Sequence, residues 1–275
     1  VPALQSRQAR SDPGRGRDAA GPTLSRPPGD GVGGGLGERG AGHVASVPAA
    51  RFVSPVSPYR VVRSRSTAGD FHARTVPVPA SREIWRHDVT TPALVLGSTQ
   101  DRSDVDIDAC RRAGVEVVRR RSGGGAVLLV PGEVTWLDVI VPAAMPGWSD
   151  DVHGPMVWLG NGLVGAIERA TGIDDLAVHD AAMRSTPWSR LVCFDGLGAG
   201  EVLLGGRKLV GISQRRTRDA ARLQCCWYSE YDPQRLVALL DPATGRPTAV
   251  DLAQVATLPA GSADAIVREL VAALA

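Results

Sequence analysis

The stretch that decides the fold is residues 119–127, which read Arg-Arg-Arg-Ser-Gly-Gly-Gly-Ala-Val. It lies between two short apolar runs, VEVV (115–118) and AVLLV (126–130), which predict β-strands. Three consecutive glycines allow backbone with positive φ and let a ligand approach the main chain without a Cβ in the way. Such a turn favours an anion-binding concavity flanked by guanidinium groups. The alternative is a flexible hairpin tip with solvated arginines.

A second motif, GGRKLVGISQRR at residues 205–216, contains the chain's one lysine among 31 basic residues, Lys208. A glycine turn places Lys208 at the start of an apolar strand, and Gly211 allows another close approach. An ammonium is a compact point charge, whereas a guanidinium is a planar fork, so the two are not interchangeable at a shared oxygen. We therefore expect Lys208 to have a chemical role, although a surface lysine of no function is the alternative.

The rest of the chain, from about residue 58, alternates between short apolar runs and amphipathic segments. Further predicted strands are residues 93–96, 135–141, 201–204, 208–214 and 223–228. Predicted helices are residues 106–113, 156–170, 233–240 and 263–274. Short connections between strands predict an α/β (α+β) domain with a mixed, largely antiparallel central sheet flanked by helices.

The first 57 residues differ, because they contain 11 glycines and 7 prolines and few large apolar side chains. We expect residues 1–57 to form a disordered extension and residues 58–275 to form the catalytic domain. The chain has no apolar run of about 18 residues and a net charge of +2, so neither a membrane nor a nucleic-acid partner is expected. Four cysteines without CxxC spacing suit a reducing cytoplasm, and we expect a cytoplasmic monomer.

The two motifs resemble those of the lipoate-protein ligase A family, within the biotin/lipoate ligase catalytic-domain superfamily that includes octanoyl and lipoyl transferases. The family's RRxSGGGAV turn is matched by residues 119–127 without a gap, and its later G-R-K-(I/L)-x-G strand by residues 206–211. The resemblance implies that the following residues contact the acyl chain or its adenylate: Arg120, Ser122, Gly123, Gly124, Gly125, Ala126, Gly211, Ser213 and Arg215. It implies that Lys208 is catalytic and holds the acyl carboxylate oxygens.

In such a ligase, lipoate or octanoate reacts with ATP to give an acyl-adenylate, and a lysine of a lipoyl-domain acceptor protein then attacks it. Preorganised N–H donors and one fixed ammonium would stabilise the charge on the carbonyl oxygen. Mg²⁺ would neutralise the triphosphate. No complete set of protein metal ligands is evident, and Glu201 is the one candidate.

The chain also departs from the ligase pattern. Leu129 stands where family ligases usually carry a histidine, Gly200-Glu201 replaces a common Asn-Asp, and the residues after about 240 are too few for an accessory domain. Cys193, in Cys-Phe-Asp upstream of Lys208, looks like the nucleophile of the superfamily's ATP-independent transferases, which need no cofactor. A buried apolar role is the alternative for Cys193. We therefore rank ATP-dependent ligation slightly ahead of thioester transfer through Cys193, with a catalytically silent acyl-binding module as a third hypothesis.

Overall fold

The computed structural model describes residues 58–275, so the predicted extension at residues 1–57 lies outside the described residues. Seven strands form the larger sheet: β1 Arg60–Ser66, β2 Glu83–Val89, β6 Val134–Pro142, β7 Leu176–Val178, β8 Val202–Leu204, β9 Arg207–Arg216 and β10 Ala220–Tyr228. Their order across the sheet is β1-β2-β6-β10-β9-β8-β7. In this sheet only β1 and β2 run parallel, and the other neighbours are antiparallel.

A second sheet has three strands: β3 (Ala93–Leu96), β4 (Glu116–Arg119) and β5 (Val127–Leu129). β3 lies in the centre, parallel to β4 and antiparallel to β5. The strands on either side of the glycine-rich turn therefore do not pair with each other, and the hairpin alternative is wrong. The turn crosses over one end of β3 instead. The mixed, largely antiparallel architecture predicted from the sequence is confirmed.

Helices cover the outer faces of both sheets. On the larger sheet, α3 (His153–Thr171) and α5 (Ala263–Ala273) pack against each other and against the strands. The buried Leu159, Leu163 and Ile167 recur at the spacing of one helix face, and α3 ends where Gly172 adopts φ of +71°. No helix within residues 58–275 is both long and apolar enough to span a bilayer.

Three shorter α-helices also lie in the described part of the fold, along with 3₁₀ turns at Arg102–Asp104, Cys193–Asp195 and Pro242–Thr244. The helix α1 (Ala68–Ala73) begins with a capping box between Thr67 and Asp70. The others are α2 (Ile107–Arg112) and α4 (Pro233–Val237), the latter three residues shorter than predicted. Apolar residues of both sheets meet in the space between them, where Val95 and Val127 face Trp136, Phe194 and Tyr228.

The register of the four central strands determines which side chains enter that space. Trp136 of β6 lies opposite Cys226 of β10, and Cys226 lies opposite Gly211 of β9. His87 of β2 continues this row. Directly paired residues share a face of a sheet, so this row faces the smaller sheet.

Candidate active site

The glycine-rich turn is shaped by close packing on both sides. A Cβ on Gly97, just after β3, would overlap the carbonyl oxygen of Gly124. A Cβ on Gly125 would lie 2.6 Å from the backbone nitrogen of Val192. Gly123 differs, because no atom lies within 4 Å of its Cβ position and its φ is outside the left-handed region. Packing requires glycine at Gly97 and Gly125, whereas at Gly123 it leaves the backbone open to a ligand.

The turn also carries unused hydrogen-bond donors. The backbone N–H groups of Gly123, Gly124 and Gly125 donate to no protein acceptor within residues 58–275. Ala126, by contrast, donates to the Leu191 carbonyl oxygen at 2.7 Å. A run of unpaired N–H groups in a turn is suited to an oxyanion or a carboxylate.

Arg120 holds the turn in shape from beneath. Its guanidinium donates to the carbonyl oxygens of Gly123 (2.7 Å) and Gly125 (2.9 Å). The side chain is buried, with 5% of the residue exposed. The resemblance implies a contact between Arg120 and an adenylate, but here the guanidinium is occupied largely by the turn itself.

Cys193 lies directly against this turn, at the start of a one-turn 3₁₀ helix (Cys193–Asp195). Its N–H donates to the Ala126 carbonyl oxygen at 3.0 Å, which ties the two segments together. The Sγ atom is 3.6 Å from Nη2 of Arg120 and 3.3 Å from the position of a Cβ on Gly124. Cys193 is half-buried rather than enclosed in a core. A thiol in this position is accessible to a substrate that enters beside the turn.

Lys208, at the start of β9, is buried and fully engaged by protein acceptors. Its ammonium donates to the carbonyl oxygens of Cys193 and Gly196, both at 2.9 Å. It also pairs with Oε2 of Glu201 at 2.7 Å. An ammonium has three N–H donors, and these three partners account for all of them. In this structure Lys208 therefore positions the segment that carries Cys193, and the acyl-oxygen contact implied by the resemblance stays a prediction.

Glu201 is likewise saturated. Besides Lys208, its carboxylate accepts the N–H of Gly198 at 2.7 Å and the N–H of Ile212 at 3.1 Å. Only 3% of the residue is exposed. Among residues 58–275 no group of three His, Cys, Asp or Glu side chains is arranged to hold a metal ion. The geometry pairs Glu201 with Lys208, and a role for Glu201 as a Mg²⁺ ligand stays a prediction.

A buried polar network lies beneath the turn. Ser122 Oγ is 3.0 Å from Ser213 Oγ and donates to Gln224 at 3.3 Å. Gln224 donates in turn to Asp138, a fully buried carboxylate. Asp138 also accepts hydrogen bonds from His87, Arg222 and Trp136. The resemblance places Ser122 along the acyl chain and Ser213 at the adenylate, and here the two meet as members of a network that supports the turn.

Gly211 and Arg215 occupy the same face of β9 as Ser213. A Cβ on Gly211 would lie 3.1 Å from the Phe194 ring, so the glycine allows that ring to pack close to the strand. Arg215 lies near Arg121 and Arg222, and burial together with these like charges lowers its pKa. It forms no ion pair with the carboxylates of residues 58–275 and stays a candidate for an anionic substrate group.

An apolar cavity, open to solvent, lies beside Cys193 and extends between the two sheets. Cys193 is a half-buried member of its lining, beside Arg120 and Gly211. The rest of the lining is mainly apolar: Val95, Val127, Leu129, Trp136, Phe194, Ile212, Cys225 and Cys226, with His72, Ser213 and Gln224 as its polar members. A thiol in the lining of an apolar slot suits a reaction at the carboxyl end of an acyl chain.

Several members of this site were not singled out from the sequence: His72, Trp136, Asp138 and Gln224. The alternation in β6, where Trp136 and Asp138 face one way, was the available signal. His72 follows the Thr67–Asp70 capping box, which marks a helix start. No sequence feature linked these two segments to the turn, because the sheet register brings them together.

The fold is shared with lipoate-protein ligases of known structure. A crystal structure of lipoate-protein ligase A bound with ATP aligns with a TM-score of 0.60 at 16% identity, over 79% of this chain and 86% of that one. A bipartite lipoate protein ligase from Thermoplasma acidophilum aligns with a TM-score of 0.57 at 16% identity, over 78% of this chain and 82% of that one. At this identity the likeness establishes the shared fold.

The family model described as the lipoyl protein ligase A/B catalytic domain matches residues 73–268. The protein belongs to this family. Among curated relatives, octanoyltransferase LipM of Kyrpidia tusciae is 32% identical over 167 residues, 59% of each chain. LipM of Carboxydothermus hydrogenoformans is 32% identical over 133 residues, 47% of this chain and 46% of the relative. The chain thus matches about half the length of these relatives.

Proposed function

We propose that this protein transfers a medium-chain acyl group, octanoyl or lipoyl, from a thioester donor to a lysine of a lipoyl-type carrier domain. The reaction passes through an acyl-Cys193 intermediate and needs no ATP. The observation that carries this proposal is the position of Cys193 Sγ, in the lining of the apolar cavity and against the glycine-rich turn. The relatives named octanoyltransferase LipM point in the same direction.

The sequence motifs favour ligation slightly over transfer. The hydrogen-bond partners of the charged residues in the structure favour transfer instead. Lys208, Glu201 and Arg120 are bound mainly to protein groups, and their contacts hold the segments on either side of Cys193. A ligase would need cationic groups directed at a triphosphate or an acyl-adenylate. The arrangement here instead serves to fix a nucleophile beside a set of unpaired N–H groups.

The proposed reaction has two steps that balance. In the first, Cys193 Sγ forms a bond to the thioester carbonyl carbon, the donor's C–S bond breaks, and the thiol proton leaves with the donor thiol. In the second, the acceptor lysine nitrogen forms an amide bond, the acyl-Cys193 C–S bond breaks, and a proton from the amine restores the thiol. The N–H groups of Gly123, Gly124 and Gly125 are the available donors for the oxyanion of either tetrahedral intermediate.

The test is acylation of a lipoyl domain from octanoyl-carrier-protein thioester without ATP, beside a parallel reaction with free octanoate, Mg²⁺ and ATP. We expect product only from the thioester, and none from Cys193→Ala. Cys110→Ala is the matched control and should retain activity, because Cys110 is a buried residue of α2 and lies outside the cavity. Product only with ATP, unaffected by Cys193→Ala, would establish a ligase. Binding of octanoate without product from either donor would leave an acyl-binding module.

A further inference from the structure

The inner part of the cavity contains an imidazole that nothing in the reaction above uses. His72, on α1, is about nine-tenths buried and lines the cavity. Its ring lies against Trp136, with ring centroids 4.6 Å apart. Neither ring nitrogen has a hydrogen-bond partner among residues 58–275. Buried polar groups are normally hydrogen-bonded, so an unpartnered imidazole at a cavity wall is available to a polar atom of a bound ligand.

The other described histidines each have at least one polar partner. Nε2 of His87 pairs with Asp138 at 2.7 Å, while its buried Nδ1 has no partner among residues 58–275. His179 lies 3.0 Å from the Ala182 carbonyl oxygen. His153 pairs with the exposed Asp180. Of the four histidines within residues 58–275, His72 alone lacks such a partner.

His72 is a neutral hydrogen-bonding group. Burial lowers its pKa to about 3, an effect that Asp138 opposes and that Arg222, Arg120 and His87 reinforce. A neutral imidazole has one N–H donor and one bare nitrogen acceptor. It can therefore donate a hydrogen bond to a heteroatom of a bound chain or accept one from a hydroxyl group. Because it is neutral, it cannot form an ion pair with a carboxylate.

The sheet register sets the depth of His72 along an acyl chain. Gly211 lies beside the Cys193–Asp195 turn, because its Cβ position is 3.1 Å from the Phe194 ring. Trp136 lies two strands further along the same row, beyond Cys226. Two strand spacings are roughly 9.5 Å. An extended alkyl chain advances roughly 1.3 Å per carbon–carbon bond of about 1.5 Å, so this span covers about seven bonds. With its carbonyl at Cys193, a chain would reach Trp136 and His72 at about its sixth to eighth carbon.

We propose that His72 selects acyl chains that carry a heteroatom on the sixth to eighth carbon over plain alkyl chains. The lipoyl group, with ring sulfurs on its sixth and eighth carbons, has this chemistry, and so does an 8-hydroxyoctanoyl group. An octanoyl chain ends there in a methyl group and leaves the imidazole unpaired. The inference rests on the proposed function for the direction in which the chain enters.

The test is equilibrium binding of free lipoate, 8-hydroxyoctanoate and octanoate, measured by calorimetry on the full chain. For at least one of the two heteroatom ligands, the ratio of the octanoate Kd to the Kd of that ligand should fall about fivefold in His72→Phe. This factor corresponds to the loss of one ordinary hydrogen bond. His72→Asn, which keeps a hydrogen-bonding group, should retain more of the preference. His153→Phe, at an exposed site outside the cavity, is the control and should leave all three Kd values unchanged. The two heteroatom ligands distinguish sulfur from hydroxyl recognition.

The inference is overturned if the ratio of Kd values for both heteroatom ligands is the same in the wild type and in His72→Phe. Circular dichroism of each variant confirms folding, and His72→Asn keeps the test decisive should His72→Phe not fold. Failure of the proposed function is distinguishable, because these assays measure binding without turnover. If the His72-dependent selectivity is found but no acyl-Cys193 forms, only the transfer reaction is contradicted. If acyl-Cys193 forms but the selectivity does not depend on His72, only this inference is contradicted.

Discussion

Lys208 shows at the residue scale why the chain's one lysine is not replaced by arginine. Three acceptors converge on its single nitrogen: the carbonyl oxygens of Cys193 and Gly196 and the carboxylate of Glu201. A guanidinium spreads its donors over three nitrogens in a plane and cannot serve all three acceptors from one point. The geometry of the segment that positions the thiol therefore explains why this position is lysine while the chain's other 30 Lys or Arg positions are arginine.

We predict that Lys208→Arg lowers kcat/KM for acyl transfer about 100-fold, because a displacement of the Cys193 segment by about 1 Å costs that much. The kinetic constants of the purified variant measure this directly. Arg218→Lys, at an exposed position, is the matched control and should behave as wild type. Near-normal kcat/KM in Lys208→Arg would show that the three contacts do not matter for catalysis.

At the scale of elements, the glycine-rich turn combines packing with substrate access. Gly97 and Gly125 are required by close backbone contacts, whereas the Cβ position of Gly123 is open. The turn is held by Arg120 beneath it and by the Ala126–Cys193 hydrogen bond at its side. This division of roles predicts that two neighbouring glycine substitutions have opposite consequences.

Gly123→Ala should leave the free energy of unfolding within about 0.5 kcal/mol of wild type. It should nevertheless lower kcat/KM, since the methyl group lies where the acyl carbonyl approaches. Gly125→Ala should destabilise the protein by about 1–3 kcal/mol, because its Cβ would lie 2.6 Å from the Val192 nitrogen. Urea unfolding and steady-state kinetics of both variants give the answer. A stable Gly125→Ala, or a fully active Gly123→Ala, would contradict the assignment.

Elements with simple apolar patterns were predictable from the sequence. Residues 93–96 are β3 as predicted, and the strand predicted at 135–141 is β6 with one more residue at each end. The strands β1, with sequence RVVRSRS, and β2, with EIWRHDV, were not predicted, because charged residues alternate with apolar ones and β1 is a sheet edge. The capping box that begins α1 is a sequence signal for the start of that helix.

The candidate site was predictable only in part, and the reason is register. The turn, Cys193 and Lys208 were identified from local motifs, and the structure brings them together. The inner end of the cavity depends on which residues of β6 and β10 lie opposite β9, and on α1 placing His72 over Trp136. Such long-range pairing has no local signature in a single sequence.

For the whole molecule, two buried groups link stability to pH. The unfolded chain protonates His72 near pH 6.5, whereas burial keeps it neutral in the folded protein down to about pH 3. Burial alone would raise the pKa of Asp138, but His87 and Arg222 lower it below its usual range. In both cases the unfolded state binds a proton that the folded state does not, so stability falls as the pH falls.

We predict that His72 contributes a loss of up to about 1.4 kcal/mol of unfolding free energy per pH unit between about pH 6 and pH 4. His72→Phe should remove this slope, leaving the additional loss from Asp138 below about pH 4. Urea unfolding at constant ionic strength across this range measures it. Equal slopes for wild type and variant would contradict the neutral, buried state of His72.

The described fold begins with a buried anchor, Tyr59, which is 4% exposed and packs under the Arg82 guanidinium. We therefore predict that a chain beginning at residue 58 unfolds at the same urea concentration as the full chain. Tyr59→Ala in that shortened chain should cost about 3 kcal/mol, as expected for a buried aromatic side chain. A shortened chain that fails to fold would place essential contacts within the first 57 residues.

The central claim, that Cys193 carries the acyl group, is tested most directly by the intact mass of the enzyme after mixing with octanoyl thioester alone. Without ATP or acceptor, we predict one octanoyl adduct per chain, mapped to the peptide that contains Cys193 and discharged when a lipoyl domain is added. An unmodified enzyme that still acylates the lipoyl domain, or an adduct confined to another cysteine, would contradict the account.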